Sequence, residues 1–243
     1  MRKSIFTVAS QRLLAPGTCE LTLCGDTEGL DVPGQFVNIR IDGLYLRRPI
    51  SVCDFRPGYL TLIYKVVGAG TEILSRMEQG EALDLLTGLG NGYDLSVSGR
   101  EPLLIGGGAG VPPMYLLARK LTEQGKHVTV ILGFNTADEV FYEEEFQALG
   151  ACVIVATADG TRGVKGFVTD AMDGLAYTYF YTCGPAPMLK AVYDRSETDG
   201  QFSFEERMGC GFGACVGCTC RTKYGNKRIC RDGPVLEKEE IVW

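Results

Sequence analysis

Residues 1 to about 98 consist of short apolar or alternating segments separated by Gly, Pro or Asp. Segments of this length and pattern are typical of β-strands, and their close spacing predicts an antiparallel barrel or sandwich. One stretch, residues 70–80, is predicted to be helical, because Ile73, Leu74 and Met77 would share one helix face. The strand-like segments are FTVASQRLL, TCELTLCG, GQFVNIRI, LTLIYKVV and ALDLLTG.

The pattern changes at about residue 99, where buried strand-like segments begin to alternate with helical ones. Helices are predicted over 111–126, 139–150 and 166–175, and this alternation indicates a parallel α/β sheet. The tail from residue 201 is rich in cysteine and turns, and it is too small to hold a core unaided. We therefore predict a multidomain fold of α+β and α/β type: an antiparallel β-barrel (1–98), a parallel α/β domain (99–200) and a small C-terminal domain (201–243).

Composition narrows the class of protein. A net charge of −6 and a pI near 5.0 argue against a nucleic-acid-binding surface, which is usually basic. No apolar run approaches the roughly 18 residues that cross a bilayer. The first residues lack the apolar region of a signal peptide, so we expect a cytoplasmic protein with no membrane segment. The single histidine, His127, argues against histidine-based catalysis.

Half of the ten cysteines lie between residues 210 and 230. In a reducing compartment, such clustering indicates a metal site rather than disulfides. Cys210, Cys215, Cys218 and Cys230 follow the C-x4-C-x2-C spacing, with a distant fourth cysteine, of plant-type [2Fe–2S] ferredoxins. A structural zinc site is the alternative, since C-x2-C also forms half of a zinc ribbon. Cys220 is left without a role.

A glycine-rich turn, GGGAGVPP at 106–113, follows a buried strand and precedes a helix. Bare N–H groups there can bind a pyrophosphate at the positive end of the helix dipole. Proline stands where a G-x-G-x-x-G motif has its third glycine, and taken alone the turn is equally typical of a tight bend. Further along, Cys183-Gly184-Pro185 ends a strand at the sheet edge where ligands bind, although a buried cysteine before a helix breaker is the simpler explanation.

The segment RRPISVCDF at 47–55 follows another predicted strand. Arg48 at a strand edge, with Ser51 three residues later, can bind a phosphate and a polar ring atom of a flat cofactor. By itself, a surface arginine pair beside an ordinary turn is the simpler explanation of this segment.

Together, the order of these motifs resembles the ferredoxin–NADP reductase superfamily over essentially the whole chain. More narrowly, EERMGCGFGACVGCTC…RICRDGPVL and GFNTADEVFYEEEF are similar to the electron-transfer subunits of NAD-dependent dihydroorotate dehydrogenases. For FAD, the resemblance implies Arg48, Pro49, Ile50, Ser51, Ile63, Tyr64, Lys65, Gly70 and Thr71. For NAD(H), it implies Gly107, Gly108, Ala109, Gly110, Val111, Pro112, Cys183, Gly184 and Pro185. For a [2Fe–2S] cluster, it implies Cys210, Cys215, Cys218 and Cys230.

The resemblance implies an NAD-linked oxidoreductase subunit that serves pyrimidine biosynthesis. Its partner would be an FMN-containing dihydroorotate dehydrogenase catalytic subunit, in a heterotetramer with two copies of each chain. Cofactors that exchange hydride and single electrons need positioning rather than an acid or nucleophile, so no catalytic residue is assigned. The alternatives are a reductase subunit of a hydrogenase or ferredoxin-linked transhydrogenase, and a zinc-stabilised binding protein without enzymatic activity.

Two details refine the expected cofactor sites. The segment LGFNTADEVF has no Lys or Arg and contains Asp138 and Glu139, which favours NAD over NADP. The aromatic residue that the superfamily usually places between the motif's Arg and Ser is replaced by Ile50, so Tyr45 or Tyr64 would have to stack on the flavin.

Overall fold

A computed structural model describes residues 1–243 and places a closed six-stranded antiparallel barrel at the start of the chain. Its strands are β1 (Arg2–Ala15), β2 (Thr18–Cys24), β3 (Phe36–Ile39), β4 (Arg48–Arg56), β5 (Tyr59–Lys65) and β6 (Ala82–Leu89), with helix α1 (Ala69–Leu74) before β6. Neighbouring strands follow the order β1-β2-β5-β4-β3-β6. Alternating apolar positions decide which face is buried, as in β6, where every second side chain from Leu83 to Leu89 lies inside.

Helix α1 packs on the barrel core through Leu74, which is fully buried among the strand side chains. The helix ends there and not at residue 80, so its predicted length was wrong. The next backbone N–H groups, of Arg76 and Met77, donate to carbonyls three residues back. The chain therefore leaves the helix through a tighter turn.

From residue 102 the chain alternates strands with helices. These elements are β7 (Pro102–Gly107), α2 (Val111–Glu123), β8 (Thr129–Phe134), α3 (Glu143–Ala148), β9 (Cys152–Thr157), β10 (Val164–Lys165), β11 (Tyr179–Cys183), α4 (Ala186–Arg195) and β12 (Gly200–Ser203). Strands β7 and β11 are buried along their whole length, as expected for central strands covered on both faces. No helix of the chain is long and apolar enough to span a lipid bilayer.

Residues 166–175 form consecutive turns, so the helix predicted there was wrong. The N–H groups of Met172 and Leu175 donate to carbonyls three residues earlier. The Asp170 carboxylate accepts the Phe167 N–H at 2.7 Å, at the start of these turns. Gly174 has a φ of 75°, which ends regular helix at that point.

The tail forms a hairpin, a short helix and a last strand. Its elements are β13 (Thr219–Thr222), β14 (Gly225–Arg228), α5 (Ile229–Asp232) and β15 (Val235–Glu237). Strand β15 pairs antiparallel with β12 and completes a seven-stranded sheet of order β10-β9-β8-β7-β11-β12-β15, in which the other pairings are parallel. The buried tail residues Cys218 and Ile229 share a core with Phe36 of the barrel and Phe202 of the sheet. The predicted combination of barrel, parallel α/β sheet and small C-terminal unit is confirmed.

Barrel and sheet are held together by polar contacts across their interface. The Tyr142 hydroxyl donates to Glu20 on β2 at 2.7 Å, and Arg119 on α2 donates to Asp54 on β4 at 2.7 Å. Tyr142 has a φ of 67°, a conformation that costs a residue with a side chain about 1–2 kcal/mol. Its ring packs edge-on against Tyr115, with centroids 5.1 Å apart. These contacts therefore hold Tyr142 at the interface in a strained backbone conformation.

Replacing Tyr142 by Phe should lower the free energy of unfolding by about 1–2 kcal/mol, because the partly buried Glu20 carboxylate loses a donor. Urea-induced unfolding followed by circular dichroism measures this loss. Tyr115→Phe is the matched control, since the Tyr115 hydroxyl makes no hydrogen bond. Equal losses in the two variants would contradict the role of the interface contact.

Candidate nucleotide cleft and cysteine loop

A cavity of about 660 Å³ lies between barrel strand β5 and the carboxyl edge of the sheet. Its volume is in the range of small-molecule and cofactor sites. The lining includes nine residues singled out from the sequence: Ile63, Tyr64, Lys65, Gly107, Gly108, Ala109, Gly110, Gly184 and Pro185. The cavity lies where open α/β sheets bind ligands, beyond the carboxyl ends of the strands.

The glycine turn shapes one wall of this cavity. A Cβ added at Gly107 would overlap the Met188 sulfur, and one at Gly110 would overlap the Cys183 carbonyl and lie 2.6 Å from the Gly184 nitrogen. The backbone therefore faces the cavity without side chains, at the start of the thirteen-residue helix α2. Such bare N–H groups at a helix N-terminus bind phosphate well.

The predicted residues Val111 and Pro112 follow the glycine turn and lie behind the cavity wall. Both are buried in the first turn of α2 and do not line the cavity. Their contribution is to start the helix, since proline is accommodated in a first turn where its missing N–H has no partner to lose. Of the residues expected around NAD(H), these two lie behind the turn.

The end of β11 forms the opposite wall. Cys183 is buried and does not line the cavity, whereas Gly184 and Pro185 do. Burial, with a smaller contribution from the charge of Glu205, raises the pKa of the Cys183 thiol to about 12. This thiol is therefore neutral at physiological pH.

Glu205 is a cavity residue that the sequence analysis missed. It stands just after β12, so its place after a sheet strand was the available signal. The side chain is exposed to the cavity, yet protein atoms around it desolvate the carboxyl and raise its pKa. Raised carboxyl pKa values in clefts are common at functional sites.

A third part of the lining follows β8, the second parallel strand along the chain. The Glu139 carboxylate accepts hydrogen bonds from the Asn135 side chain at 2.7 Å and from Lys65 of the barrel at 3.2 Å. Burial opposes ionisation, but these donors lower the pKa of Glu139. The cleft therefore holds an ionised carboxylate here, paired with Lys65, whereas neighbouring Asp138 does not line it.

The barrel motif lies beside the cavity, on β4. Arg48, Pro49, Ile50 and Ser51 are half-buried, and none of them lines the cavity. The first half of β4 pairs with β3 and the second half pairs with β5. Strand β4, which holds the motif, therefore lies between β5, which lines the cleft, and β3.

Arg48 lies against the start of α1. A Cβ added at Gly70 would come within 3.1 Å of the guanidinium carbon of Arg48, so the glycine makes room for this side chain. The Thr71 hydroxyl accepts N–H bonds from Val67 and Gly68 at 3.0 and 3.2 Å and fixes the entry to the helix. The structure therefore brings the predicted residues of the motif and of α1 together, and a phosphate is a suitable ligand for the arginine.

The two aromatic candidates for flavin stacking differ in position. Tyr45 is 99% exposed. Tyr64 is buried, lines the cavity and donates its hydroxyl to Gln11 at 3.2 Å. Of the two residues, only Tyr64 lines the cleft, and its ring packs in the barrel core.

The cysteine loop presents its thiols as two pairs. The Cys210 sulfur accepts N–H bonds from Ala214 and Cys215 at 3.2 and 3.4 Å, and the Cys215 sulfur accepts the Cys210 N–H at 3.4 Å. The Cys218 sulfur accepts the Cys230 N–H at 3.4 Å. A [2Fe–2S] cluster takes four thiolates, two on each iron, and hydrogen bonds to the sulfurs tune its potential.

The surroundings shift the pKa of two of these thiols in opposite directions. At Cys210 burial opposes ionisation, but backbone donors led by Phe212 lower the pKa to about 6. At Cys230 burial and the neighbouring Cys218 raise the pKa to about 12. The hydrogen bonds between Cys210 and Cys215, and between Cys230 and Cys218, group the four thiols as two pairs. Cys220 lies on β13 opposite Lys227, outside both pairs.

Comparison with known proteins agrees with this geometry. The model of the iron–sulfur cluster binding domain of dihydroorotate dehydrogenase B matches residues 205–242, and that of the oxidoreductase NAD-binding domain matches 104–194. The dihydroorotate dehydrogenase B (NAD(+)) electron transfer subunit of Bacillus pumilus (strain SAFR-032) is 45% identical over 99% of this chain and 98% of its own length. That of Bacillus caldolyticus is 46% identical over 97% of each chain.

Solved structures show the same architecture. One from work on flavin-based electron bifurcation by the NADH-dependent reduced ferredoxin-NADP oxidoreductase has a TM-score of 0.89 and 30% identity, covering 98% of this chain and 90% of that one. An Amycolatopsis cytochrome P450 reductase, GcoB, has a TM-score of 0.71 at 23% identity, over 80% of this chain and 66% of its own, and shares the fold.

The fold and the two sites define an NAD-linked iron–sulfur flavoprotein of the ferredoxin reductase type. Within that class, the chain belongs to the family of dihydroorotate dehydrogenase B (NAD(+)) electron transfer subunits. The resemblance noted from the sequence is confirmed, as are the expected cofactors FAD, NAD(H) and a [2Fe–2S] cluster.

Replacing Gly110 by Ala should lower the free energy of unfolding by about 2 kcal/mol, since the new methyl would overlap backbone that cannot rotate away. It should also weaken NADH binding, because the turn must move. Thermal unfolding and NADH titration measure the two effects. Gly108→Ala is the control: its φ of 51° carries strain, but its added methyl enters open space. A Gly110→Ala variant as stable as Gly108→Ala would contradict the close approach.

Proposed function

We propose that this chain carries electrons between NAD, bound in the cleft, and the FMN-containing catalytic subunit of an NAD-dependent dihydroorotate dehydrogenase. The observation that carries the proposal is the position of β4. This strand holds the flavin motif and pairs with β5, which lines the nucleotide cleft, and with β3, which contacts the cysteine loop through Asn38. One strand therefore separates the two sites that must exchange electrons.

When bound, FAD exchanges a hydride with NAD(H) and single electrons with the [2Fe–2S] cluster. The chain's residues bind and orient these groups. Arg48 binds the FAD phosphates beside Gly70 and Thr71, and Pro49, Ile50 and Ser51 hold the ring. Ile63, Tyr64 and Lys65 line the flavin from β5. The space that Gly70 leaves for the Arg48 guanidinium supports this assignment.

NAD(H) binds across the cleft at the end of β7. Gly107 to Gly110 offer bare N–H groups to the pyrophosphate, with Val111 and Pro112 supporting them from the first turn of α2. Gly184 and Pro185 line the nicotinamide side, with Cys183 beneath them. Support comes from the glycines that line the cavity on both sides and from the close packing of Gly110 against Cys183.

Cys210, Cys215, Cys218 and Cys230 ligate the cluster. Their arrangement in two pairs lined by backbone N–H groups supports this ligand set. Because the Cys215 thiol is exposed while Cys218 and Cys230 are buried, one side of the site is open to a partner.

The proposed assembly contains two copies of this chain and two catalytic subunits, in the cytoplasm. The catalytic subunit oxidises dihydroorotate to orotate in pyrimidine biosynthesis, and the two electrons reach NAD⁺ through this chain. Within the chain, residues 1–98 form the FAD domain, 99–200 the NAD domain and 201–243 the cluster domain. The relatives' names, at 45% and 46% identity over nearly full length, support this assignment.

A ferredoxin-linked transhydrogenase subunit is the second candidate function. The 30% identical structure from a ferredoxin-NADP oxidoreductase favours it, whereas the higher identity of the dihydroorotate dehydrogenase relatives favours the first. The two functions differ in the electron donor. A dihydroorotate dehydrogenase subunit would receive electrons from dihydroorotate through the FMN subunit, whereas a transhydrogenase subunit would receive them from reduced ferredoxin. Reduction of NAD⁺ in each mixture distinguishes them.

Replacing Cys218 by Ser should remove the iron–sulfur absorbance and block transfer to the partner, while NADH still reduces the flavin. The reason is that one iron loses a ligand far from the nucleotide turn. Iron content and the anaerobic visible spectrum before and after NADH measure both effects. Cys220→Ser is the matched control and should keep the cluster. Equal iron loss in both variants would contradict the ligand assignment.

Replacing Glu139 by Gln should reduce the preference for NADH over NADPH about tenfold, because a carboxylate close to the 2′-phosphate repels it. Apparent affinities from flavin reduction by each nucleotide give the ratio. Asp138→Asn is the control, since Asp138 does not line the cavity. If both variants keep the full preference, another group selects the nucleotide.

A further inference from the structure

Asn38 is a polar side chain in an otherwise apolar place. It lies on β3 and is 1% exposed, with Pro49 of the flavin motif as its register partner on β4 and Leu86 as its partner on β6. Its neighbours Val37 and Ile39 point into the barrel core. The side chain of Asn38 therefore points the opposite way, out of the barrel.

In that direction it meets the cysteine loop. The Asn38 amide donates from Nδ2 to the Cys210 carbonyl at 3.1 Å, across 172 residues of sequence. A Cβ at Gly211 would come within 3.1 Å of the Asn38 side-chain carbon Cγ, and Gly211 has a φ of 78°. The loop thus approaches the barrel strand so closely that only glycine fits beside the amide.

With the Asn38 contact, the N–H, the carbonyl and the sulfur of Cys210 all make hydrogen bonds. Its N–H donates to the Cys215 sulfur, and its own sulfur accepts backbone N–H bonds from within the loop. Its carbonyl is held by Asn38, from outside the loop. Asn38 is therefore the one barrel residue whose side chain makes a hydrogen bond to the backbone of Cys210.

The side-chain oxygen of Asn38 differs from its nitrogen, because the fold provides it with no hydrogen-bond donor. Asn38 Oδ1 is buried and accepts no hydrogen bond from the chain. Burying an amide oxygen without a donor destabilises the folded protein, and such atoms in a native protein call for an explanation. A residue selected for packing alone would be apolar here.

We propose that Asn38 is a positioning residue for electron transfer, which fixes the first cluster cysteine against the strand that carries the flavin motif. The inference rests on the proposed cofactor sites. Hydrogen-bonded groups behind metal ligands set ligand orientation and tune the metal centre. In the proposed function, electrons pass between the flavin and the cluster, so the distance and the potential that Asn38 sets act on this step.

The test replaces Asn38 by Leu, which has a similar size and no amide, in the full-length chain loaded with FAD and cluster. The ratio of the rate of cluster reduction to the rate of flavin reduction by NADH should fall about tenfold. The electron paramagnetic resonance spectrum and the midpoint potential of the cluster should shift with it. Anaerobic stopped-flow absorption and a redox titration followed by resonance measure these quantities.

Thr87→Val is the matched control, because Thr87 is a fully buried polar residue of the same barrel with an unpaired hydroxyl. It lies next to Leu86 on β6 and points to the opposite face. If Asn38→Leu and Thr87→Val give the same rate ratio, spectrum and potential as the unaltered chain, the inference is overturned and the proposed function stands. An unaltered chain that binds neither flavin nor cluster would instead overturn the proposed function.

A second perturbation approaches the contact from the loop, in case Asn38→Leu does not fold. Gly211→Ala should displace the Asn38 amide and shift the resonance spectrum in the same way. Adding Asn38→Ala to it removes the overlapping side chain, so the effects of the two substitutions should be non-additive. Strictly additive shifts would show that the residues do not act through their contact.

Discussion

The architecture depends on a close backbone approach between the turn after β7 and the end of β11. Gly110 faces the Cys183 carbonyl with no room for a side chain. Because β7 and β11 are parallel neighbours in the sheet, their carboxyl ends meet at the same edge. The approach brings the glycine turn and the end of β11 together at the cavity wall. A dinucleotide can then reach the start of α2, where the helix dipole favours phosphate.

The barrel completes this site and links it to the cysteine loop. Its strand β5 supplies one wall of the cleft, and the pairing of β4 with both β5 and β3 carries the connection across the barrel. The tail has no core of its own: Cys218 and Ile229 are buried against barrel and sheet residues. The cysteine loop is consequently positioned by the two larger units. This dependence is what an electron carrier requires, since transfer between cofactors depends on fixed distances.

Sequence patterns predicted much of this arrangement, and their failures have physical causes. Chemistry that depends on local spacing, such as the cysteine loop and the glycine turn, could be found from consecutive residues. The helix expected at 166–175 gives way to turns, in which N–H groups donate to carbonyls three residues back and Gly174 has a φ of 75°. Asn38 gave no local signal, and Glu205 offered only its place just after a sheet strand, since their roles come from contacts with distant segments. The joining of β15 to the sheet was equally invisible, because its partner β12 lies more than thirty residues earlier.

The most direct test of the account is made on the complex of this chain with its catalytic subunit, kept free of oxygen and of NAD. Dihydroorotate is added, and the resonance signal of the reduced cluster in this chain is followed after rapid freezing. The account predicts that the cluster becomes reduced, and that NAD⁺ added afterwards reoxidises it and yields NADH. A catalytic subunit that is reduced by dihydroorotate while the cluster stays oxidised would contradict the proposed path.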